Sequence, residues 1–196
     1  MVLALPYAID RVPLASKIRG TVLSSSLAVI EAAGLRKAYF AVLPRADHAA
    51  MQSIAVGEWL PMELGLSHYR ALDTLAVAPE QAREYGRRVA DRAQKSYLVT
   101  MIKTVGLGTT PWPILARAQS VLDRLVQRAS VAVYREGPKE ARLEIHGVPI
   151  AEFSYVRSGW AGMIEGGIQL VAPRAYCRDV SPAQTRSVAK YLITWA

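Results

Sequence analysis

The sequence predicts an α+β fold in which a helical N-terminal half packs on a C-terminal antiparallel sheet of about five strands. Up to about residue 130, apolar residues recur with the 3.6-residue period of an amphipathic helix. Beyond that point they alternate with the period of 2 that is typical of a half-buried strand. Because 52% of the 196 residues are hydrophobic, the chain can also bury a sizeable core.

The two halves differ in class, but neither is expected to close a core alone. We therefore predict one α+β domain over residues 17–196, preceded by an N-terminal extension over residues 1–16. The sequence shows no internal repeat, low-complexity tract or linker.

The N-terminal half contains apolar helical stripes that are bounded by glycine, proline or capping side chains. A short strand is expected before them, at 17–23. The predicted helices cover 24–34, 35–43, 47–54, 61–77, 79–103 and 114–126.

In the C-terminal half, turn signals separate the alternating segments. A three-stranded meander is predicted over 130–157, and two further strands over 174–180 and 187–195. A glycine-rich helix, at about 159–172, is inserted between them. Each of its interior glycines costs roughly 1 kcal/mol of helix propensity, so we expect the sheet, another helix, a ligand or a second subunit to approach it closely.

The formal charge of +8 does not predict a nucleic-acid partner. In the basic helix at 79–103, carboxylates lie among the arginines, as in the pair Glu84 and Arg88, which favours a solvated helix face. No motif that recognises nucleic-acid bases accompanies this helix, so no sequence-specific nucleic-acid binding is expected. No apolar run is long enough for a membrane span, and no signal peptide is recognised. A single cysteine, Cys177, suits the cytoplasm.

Catalytic and metal-binding patterns are missing from the sequence. His48, His68 and His146 are far apart and show no ligand spacing. We expect His68, on an apolar helical stripe, to be partly buried and satisfied by a hydrogen bond, and His146 to be exposed in a turn. Cys177 is interpreted as a buried structural thiol. No catalytic residue, metal or cofactor is predicted, and an enzyme with an unrecognised pocket is the least favoured interpretation.

Large aromatic side chains mark the transitions between predicted elements. Trp59, Trp112 and Trp160 lie at such points, where they could line a cleft between helices and sheet or belong to the core. Together with His68 and Tyr155, they are the residues predicted to bind a ligand.

Several segments occur in a familiar order: Ile18-Arg-Gly-Thr-Val-Leu, Gly57-Glu-Trp-Leu-Pro61, Arg70-Ala-Leu-Asp73, Gly159-Trp160 and Lys190-Tyr-Leu-Ile-Thr-Trp195. Over about 17–196 they resemble a paralogous family of unknown function that is abundant in myxobacteria. That family resembles the fold shared by heme-nitric-oxide-binding sensors, vinyl-reductase-type ligand domains and the small TRAPP trafficking subunits. The resemblance implies an apolar cavity between a helical half and a sheet.

The chain departs from the cofactor motifs of those relatives. Heme sensors of this fold carry a proximal histidine and a Tyr-x-Ser-x-Arg motif on a strand. The nearest match here, Phe153-Ser-Tyr-Val-Arg157, keeps only the arginine and has no histidine at the expected distance. Zinc-holding domains need several cysteines. Heme and zinc are therefore both disfavoured.

These observations lead to a functional hypothesis. We expect a cytoplasmic, non-catalytic sensory or regulatory module of bacterial signalling that binds a small hydrophobic or aromatic ligand between helices and sheet. The alternative is a protein-protein interaction module with a filled core, whose basic or glycine-rich helix binds a protein partner or a second copy of the chain.

Overall fold

The computed structural model describes residues 2–3, 11–93, 110–182 and 186–196. The helical half contains β1 (Val2–Leu3), β2 (Lys17–Arg19), α1 (Gly20–Ala32), α2 (Arg36–Val42), α3 (His48–Gln52), β3 (Trp59–Pro61), α4 (Met62–Thr74), α5 (Pro79–Ala93), α6 (Trp112–Leu115) and α7 (Ala118–Leu125). The sheet half contains β4 (Ser130–Gly137), β5 (Glu140–His146), α8 (Ser154–Gln169), β6 (Ala175–Asp179) and β7 (Val188–Trp195). The predicted α+β class is confirmed.

The main sheet is antiparallel throughout, with the strand order β1-β4-β5-β7-β6. Alternate residues of its strands, such as Leu143 and Ile193, are buried in the core beneath the helices. The predicted period of 2 therefore marks the core face correctly. β2 and β3 form a separate two-stranded sheet.

The predicted strand at 17–23 is wrong beyond Arg19, because α1 already begins at Gly20. The Gly20 N–H donates to the Glu58 carbonyl at 2.8 Å, and a Cβ on Gly20 would overlap the Ala55 carbonyl oxygen. A close approach from the residues before β3 thus sets the start of this helix, four residues before the predicted start at residue 24. Leu23 and Ile30 are buried at helical spacing.

The third strand of the predicted meander, over about 147–157, is also wrong. Gly147 has a φ of +81° and turns the chain out of β5. Residues Pro149–Glu152 then form a 3-10 turn, and α8 starts at Ser154. The Asp73 carboxylate on α4 accepts hydrogen bonds from the Ser154 hydroxyl and the Tyr155 N–H, both at 2.9 Å. A distant side chain therefore stabilises the start of this helix.

The basic helix begins at Pro79 as predicted, and the structure describes it to Ala93. Its expected continuation to residue 103 lies outside the described residues. The predicted pair of Glu84 and Arg88 forms, with 3.2 Å between Oε1 and Nε. Among the residues that the structure describes, no helix is long and apolar enough to cross a membrane.

α8 packs tightly against α5, which identifies another helix as the element that approaches the glycines. A Cβ on Gly162 would overlap the Arg83 carbonyl, and a Cβ on Gly86 would overlap the carbonyl of Gly159. Side chains at these positions would push the helices apart. The last two glycines of α8 are not in such close contact. A Cβ on Gly166 would approach nothing closer than 3.5 Å, and one on Gly167 would meet nothing within 4 Å.

Side chains from helices bind backbone groups near both edges of the sheet. On β6, the backbone of Cys177 donates its N–H to Glu165 at 2.9 Å and accepts from Arg83. Next to β4, the Gln119 amide accepts from the Val131 N–H at 2.7 Å and donates to the Ala129 carbonyl at 3.1 Å. β6 is an edge strand, and there the groups of Glu165 and Arg83 occupy backbone positions that a further strand would need.

Candidate functional site

The candidate site is a cluster of polar and aromatic side chains buried where four helices meet. We call it the Ser26 centre. α1, α2, α4 and α8 contribute its members, which are Ser26, Tyr39, His68, Tyr69 and Tyr155. All five are buried, and His68 is fully inaccessible to solvent. The centre joins the helical half to the first turn of α8, which belongs to the sheet half.

Hydrogen bonds hold His68 on both sides of its ring. Its Nδ1 lies 2.8 Å from the Tyr39 hydroxyl, and its Nε2 lies 3.0 Å from the Ser26 hydroxyl. A neutral imidazole has one donor and one acceptor nitrogen, and each hydroxyl can take either role. The ring is therefore fully satisfied, as expected for this residue from its apolar stripe.

The Ser26 centre is uncharged around neutral pH. Burial lowers the pKa of His68 to about 3, so the imidazole stays neutral. Burial also raises the pKa of Tyr39, Tyr69 and Tyr155, so their hydroxyls stay protonated. A neutral histidine with so low a pKa is a poor general base near pH 7. The centre is chemically suited to hydrogen bonding and aromatic contact rather than to proton transfer.

The rings of the centre form a continuous aromatic chain. The centroid of His68 lies 5.3 Å from that of Tyr39 and 4.7 Å from that of Tyr69, both in edge-to-face geometry. The Tyr69 ring in turn lies next to the Tyr155 ring, with 6.4 Å between the two centroids. Two of the residues predicted to bind a ligand, His68 and Tyr155, are thus brought into one cluster.

The three tryptophans of the prediction have separate surroundings. Trp59 lies in β3, and the Arg19 guanidinium lies 4.0 Å from its ring centroid. Trp112, on α6, packs edge-on against Trp195 at 5.1 Å. Trp160, on α8, is half-buried against the core. The shared cleft that was expected for these tryptophans remains a prediction.

Sequence reasoning did not identify Ser26, Tyr39 or Tyr69 as members of the site. Ser26 does lie between Leu23 and Ile30 on the buried stripe of α1, and a hydroxyl in such a stripe indicates a buried hydrogen bond. That signal shows that a partner exists without showing which one. The partner is 42 positions away, and only the packing of α1 on α4 brings the two together.

A second polar cluster surrounds Glu165 of α8. Its carboxylate accepts from Arg83 at 2.5 Å, from Arg87 Nη2 at 2.5 Å and from the Cys177 N–H at 2.9 Å. Burial alone would raise the pKa of Glu165, but the hydrogen bonds from Arg87 and Arg83 outweigh it and lower that pKa. The cluster ties α5, α8 and β6 together.

Beside this cluster lies a surface cleft of about 280 Å³ between α5 and α8. Its lining residues are Glu84, Arg87, Asp91, Gly166, Gln169 and Leu170. The cleft lies where Gly166 presents no side chain. Its lining is mostly polar, unlike the Ser26 centre.

A third polar cluster lies on β5 and β7, and it corrects the expectation for His146. That residue is the last of β5 rather than part of a turn, and it is buried, with its Nε2 3.0 Å from Glu144 Oε2. Lys190 also reaches Glu144, at 3.1 Å. Burial alone would raise the pKa of Glu144, but hydrogen bonds from Lys190 and His146 lower it.

Cys177 is buried on β6, as predicted for a structural thiol. Burial raises its pKa strongly, so the thiol is protonated. Among the residues that the structure describes, no group of three histidine, cysteine, aspartate or glutamate side chains is placed to hold a metal ion.

Comparison with known proteins shows a likeness of structure alone. No protein-family model matches the chain, and no curated protein matches it. Solved structures do. The Fe(II) unliganded H-NOX protein from K. algicida is 10% identical with a TM-score of 0.69, covering 91% of this chain and 97% of that one. A mutant of the T. tengcongensis H-NOX protein is 13% identical with a TM-score of 0.60, covering 91% and 97%.

A third match is an H-NOX structure solved to probe the function of heme distortion in that family. It is 13% identical with a TM-score of 0.63 and covers 91% of this chain and 95% of that one. At such identities these likenesses establish an H-NOX-like fold for nearly the whole chain. The expected resemblance to heme-nitric-oxide-binding sensors is confirmed at the level of structure.

Proposed function

We propose that this protein is a cytoplasmic, non-catalytic sensory or regulatory module that binds a small hydrophobic or aromatic ligand between its helices and its sheet. The observation that carries the proposal is the Ser26 centre. It sets uncharged hydroxyl and imidazole groups within aromatic walls, at the junction of the two halves of an H-NOX-like fold. Ligand pockets commonly combine apolar walls with a few polar groups. Because the side chains of the centre are packed against one another, a ligand would enter by displacing the Tyr155 ring.

The chemistry of the centre defines the ligand class. A charged ligand would lose its hydration without meeting an opposite charge, because His68 and the tyrosines are neutral. A neutral aromatic molecule would instead pack against the edges of Tyr69 and Tyr155. One hydroxyl or carbonyl on it would exchange a hydrogen bond with Ser26 or with the Tyr69 hydroxyl, which is hydrogen-bonded to Ser26.

The centre also offers a route from ligand binding to a structural response. Tyr155 lies in the first turn of α8, and Asp73 of α4 holds that turn through the Tyr155 N–H. A ligand that displaces the Tyr155 ring would therefore act on the start of α8. Because α8 packs on α5 and reaches β6 through Glu165, its displacement would affect both halves of the fold.

The test is a thermal-shift screen of the purified chain with indole, phenol, naphthol and similar neutral aromatic compounds. Saturable stabilisation is expected, because a ligand that binds only the folded state adds RT ln(1 + [L]/Kd) to the unfolding free energy. Tyr69→Phe should weaken the effect, whereas Tyr176→Phe, at an exposed ring, should leave it unchanged. If no compound stabilises the chain, or if both variants respond alike, the proposal fails.

A protein-protein interaction module is the second candidate, and the cleft between α5 and α8 favours it. That cleft is open at the surface, whereas the members of the Ser26 centre are packed against one another. In this case a protein partner or a second copy of the chain would contact α5 and α8. Asp91→Arg and Gln169→Arg would then abolish assembly and leave any effect of the aromatic compounds intact.

We further propose that the chain belongs to the paralogous family of unknown function from myxobacteria that its segments resemble. The H-NOX-like fold agrees with that proposal, since the family is expected to share this fold. Finding other chains that keep both Ser26 and His68 in that family would support a common role for the Ser26 centre.

A further inference from the structure

The solved structures that resemble this chain are those of heme proteins, which raises the question of heme binding here. They include an Fe(II) protein and one solved to probe the distortion of heme. Heme iron is commonly held by a histidine nitrogen, the ligand of the heme sensors of this fold, or by a cysteine thiolate, and in other heme proteins by methionine or tyrosine. All three histidines and the single cysteine of the chain are among the described residues, so each can be examined as a ligand.

Every histidine already uses its Nε2, the ring nitrogen farther from the backbone. The Nε2 of His48 lies 3.0 Å from the Leu43 carbonyl. That of His68 lies 3.0 Å from the Ser26 hydroxyl, and that of His146 lies 3.0 Å from the Glu144 carboxylate. To bind iron through this atom, each residue would have to give up a hydrogen bond that holds two elements or neighbouring side chains together.

His68 is the most firmly held of the three. Its Nδ1 is bonded as well, to the Tyr39 hydroxyl, and the ring is fully buried between the rings of Tyr39 and Tyr69. Releasing it would leave two buried hydroxyls without this partner, which is costly in a protein interior. His68 is therefore a positioning residue of the core.

Cys177 is not suited to iron either. A thiolate ligand must lose its proton, and burial raises the pKa of this thiol. Its backbone is held by Glu165 and Arg83 at the edge of the sheet, so the residue has little freedom to turn outward.

The arginine retained from the heme-sensor motif, Arg157, is also hydrogen-bonded to other groups of the chain. Arg157 lies in the first turns of α8 rather than on a strand. Its guanidinium donates to the carbonyls of Ala151 and Glu152, at 3.0 and 2.8 Å, and to the Asp179 carboxylate at 3.1 Å. It serves to hold α8 against the end of β6 and the 3-10 turn, leaving few donors for an anionic group of a cofactor.

We infer that this chain uses the H-NOX-like fold without heme, and that its histidines bind other protein groups in place of iron. The inference goes beyond the proposed function, which leaves the nature of any cofactor open. It rests on the hydrogen bonds of the three histidines, on the protonated and buried thiol, and on the hydrogen bonds that Arg157 already makes within the chain.

Hemin titration of the full chain, followed by absorbance, tests the inference directly. No saturable one-to-one Soret band is expected. If a band does appear, the variants His48→Gln, His68→Gln and His146→Gln are titrated beside the natural chain. A saturable one-to-one band that persists in all three variants means that another group of the chain holds the iron, and it contradicts the inference. A one-to-one band that one variant abolishes, while the other two keep it, overturns it.

Because His68→Gln disturbs a buried network, a second measurement uses the natural chain. Nitrogen-15 NMR should show the His68 ring neutral between pH 5 and pH 8, with signals that hemin does not broaden. Selective paramagnetic broadening of any histidine ring would contradict the inference. Heme ligation would overturn this inference alone, and failure of the thermal-shift screen would overturn the aromatic ligand alone, so the two failures are distinguishable.

Discussion

At the scale of single residues, the most informative feature is a histidine that is buried yet fully hydrogen-bonded. The apolar stripe on α4 predicted the burial of His68, because its neighbours at helical spacing are leucines. Its partners could not be predicted, since Ser26 and Tyr39 lie on other helices. The error at His146 has a different cause: turn chemistry suggested exposure, but the residue still belongs to β5, where its ring lies beside the Glu144 carboxylate two residues earlier.

Replacement of His68 by alanine should destabilise the fold by about 3 kcal/mol. The change opens a cavity and deprives the buried hydroxyls of Ser26 and Tyr39 of a partner. His48→Ala is the matched control, because it loses a single hydrogen bond at a half-buried ring and should cost about 1 kcal/mol or less. Urea unfolding of both variants measures the difference. Equal costs would show that the Ser26 centre adds nothing to stability.

The pH dependence of stability should carry a signature of His68. Its pKa is about 3 in the folded chain and 6.5 when exposed, so between these values the unfolded state binds a proton that the folded state does not. One such proton makes the unfolding free energy fall by about 1.4 kcal/mol for each pH unit below about 6. His68→Gln lacks this contribution, although the carboxylates still titrate in both proteins. Parallel slopes for the natural chain and the variant, in urea unfolding from pH 7 to pH 5, would contradict the assignment.

At the scale of elements, the period of the apolar residues predicted the type of most helices and strands, whereas distant contacts determine where several of them begin. The start of α1 depends on the residues before β3, and that of α8 on Asp73, some eighty positions earlier. Neither contact leaves a local pattern in the sequence. The glycines of α8 were a usable signal, but only the structure shows which of them are required.

The glycines of α8 should respond in opposite directions to alanine. Gly162→Ala should destabilise the fold by about 1–3 kcal/mol, because the new methyl group would overlap the Arg83 carbonyl at the α5 contact. Gly167→Ala meets no atom within 4 Å and should stabilise the fold by up to about 1 kcal/mol through helix propensity. Thermal melts of both variants provide the measurement. A shift of the same sign in both would mean that the α5–α8 contact is looser than described.

The start of α8 should be sensitive to Asp73. Asp73→Ala removes the acceptor of both the Ser154 hydroxyl and the Tyr155 N–H, and the loss of such a cap costs about 1 kcal/mol. Asp73→Asn keeps an oxygen acceptor and should cost less. Hydrogen exchange at the Tyr155 amide reports the local effect, and the exchange should be faster in the alanine variant. Unchanged exchange would show that α8 begins without help from α4.

At the scale of the whole molecule, the fold presents a sheet with a protected edge at β6 and a neutral centre at the junction of its halves. Glu165 and Arg83 occupy backbone groups of β6 that a further strand would need, so strand addition at that edge is disfavoured. The α+β class and its H-NOX-like arrangement could be anticipated from the change of period and from the order of the segments. The Ser26 centre could not, because it combines side chains from four helices that only the packed fold brings together.

Native mass spectrometry of the natural chain tests the proposed function and the absence of heme together. The chain is incubated with hemin and with the aromatic compound that stabilises it most. We predict a one-to-one complex with the aromatic compound, diminished in Tyr69→Phe and retained in Tyr176→Phe, and no specific heme complex. A bare chain under all conditions would contradict ligand binding at the Ser26 centre, and a specific one-to-one heme complex would contradict the heme-independent fold.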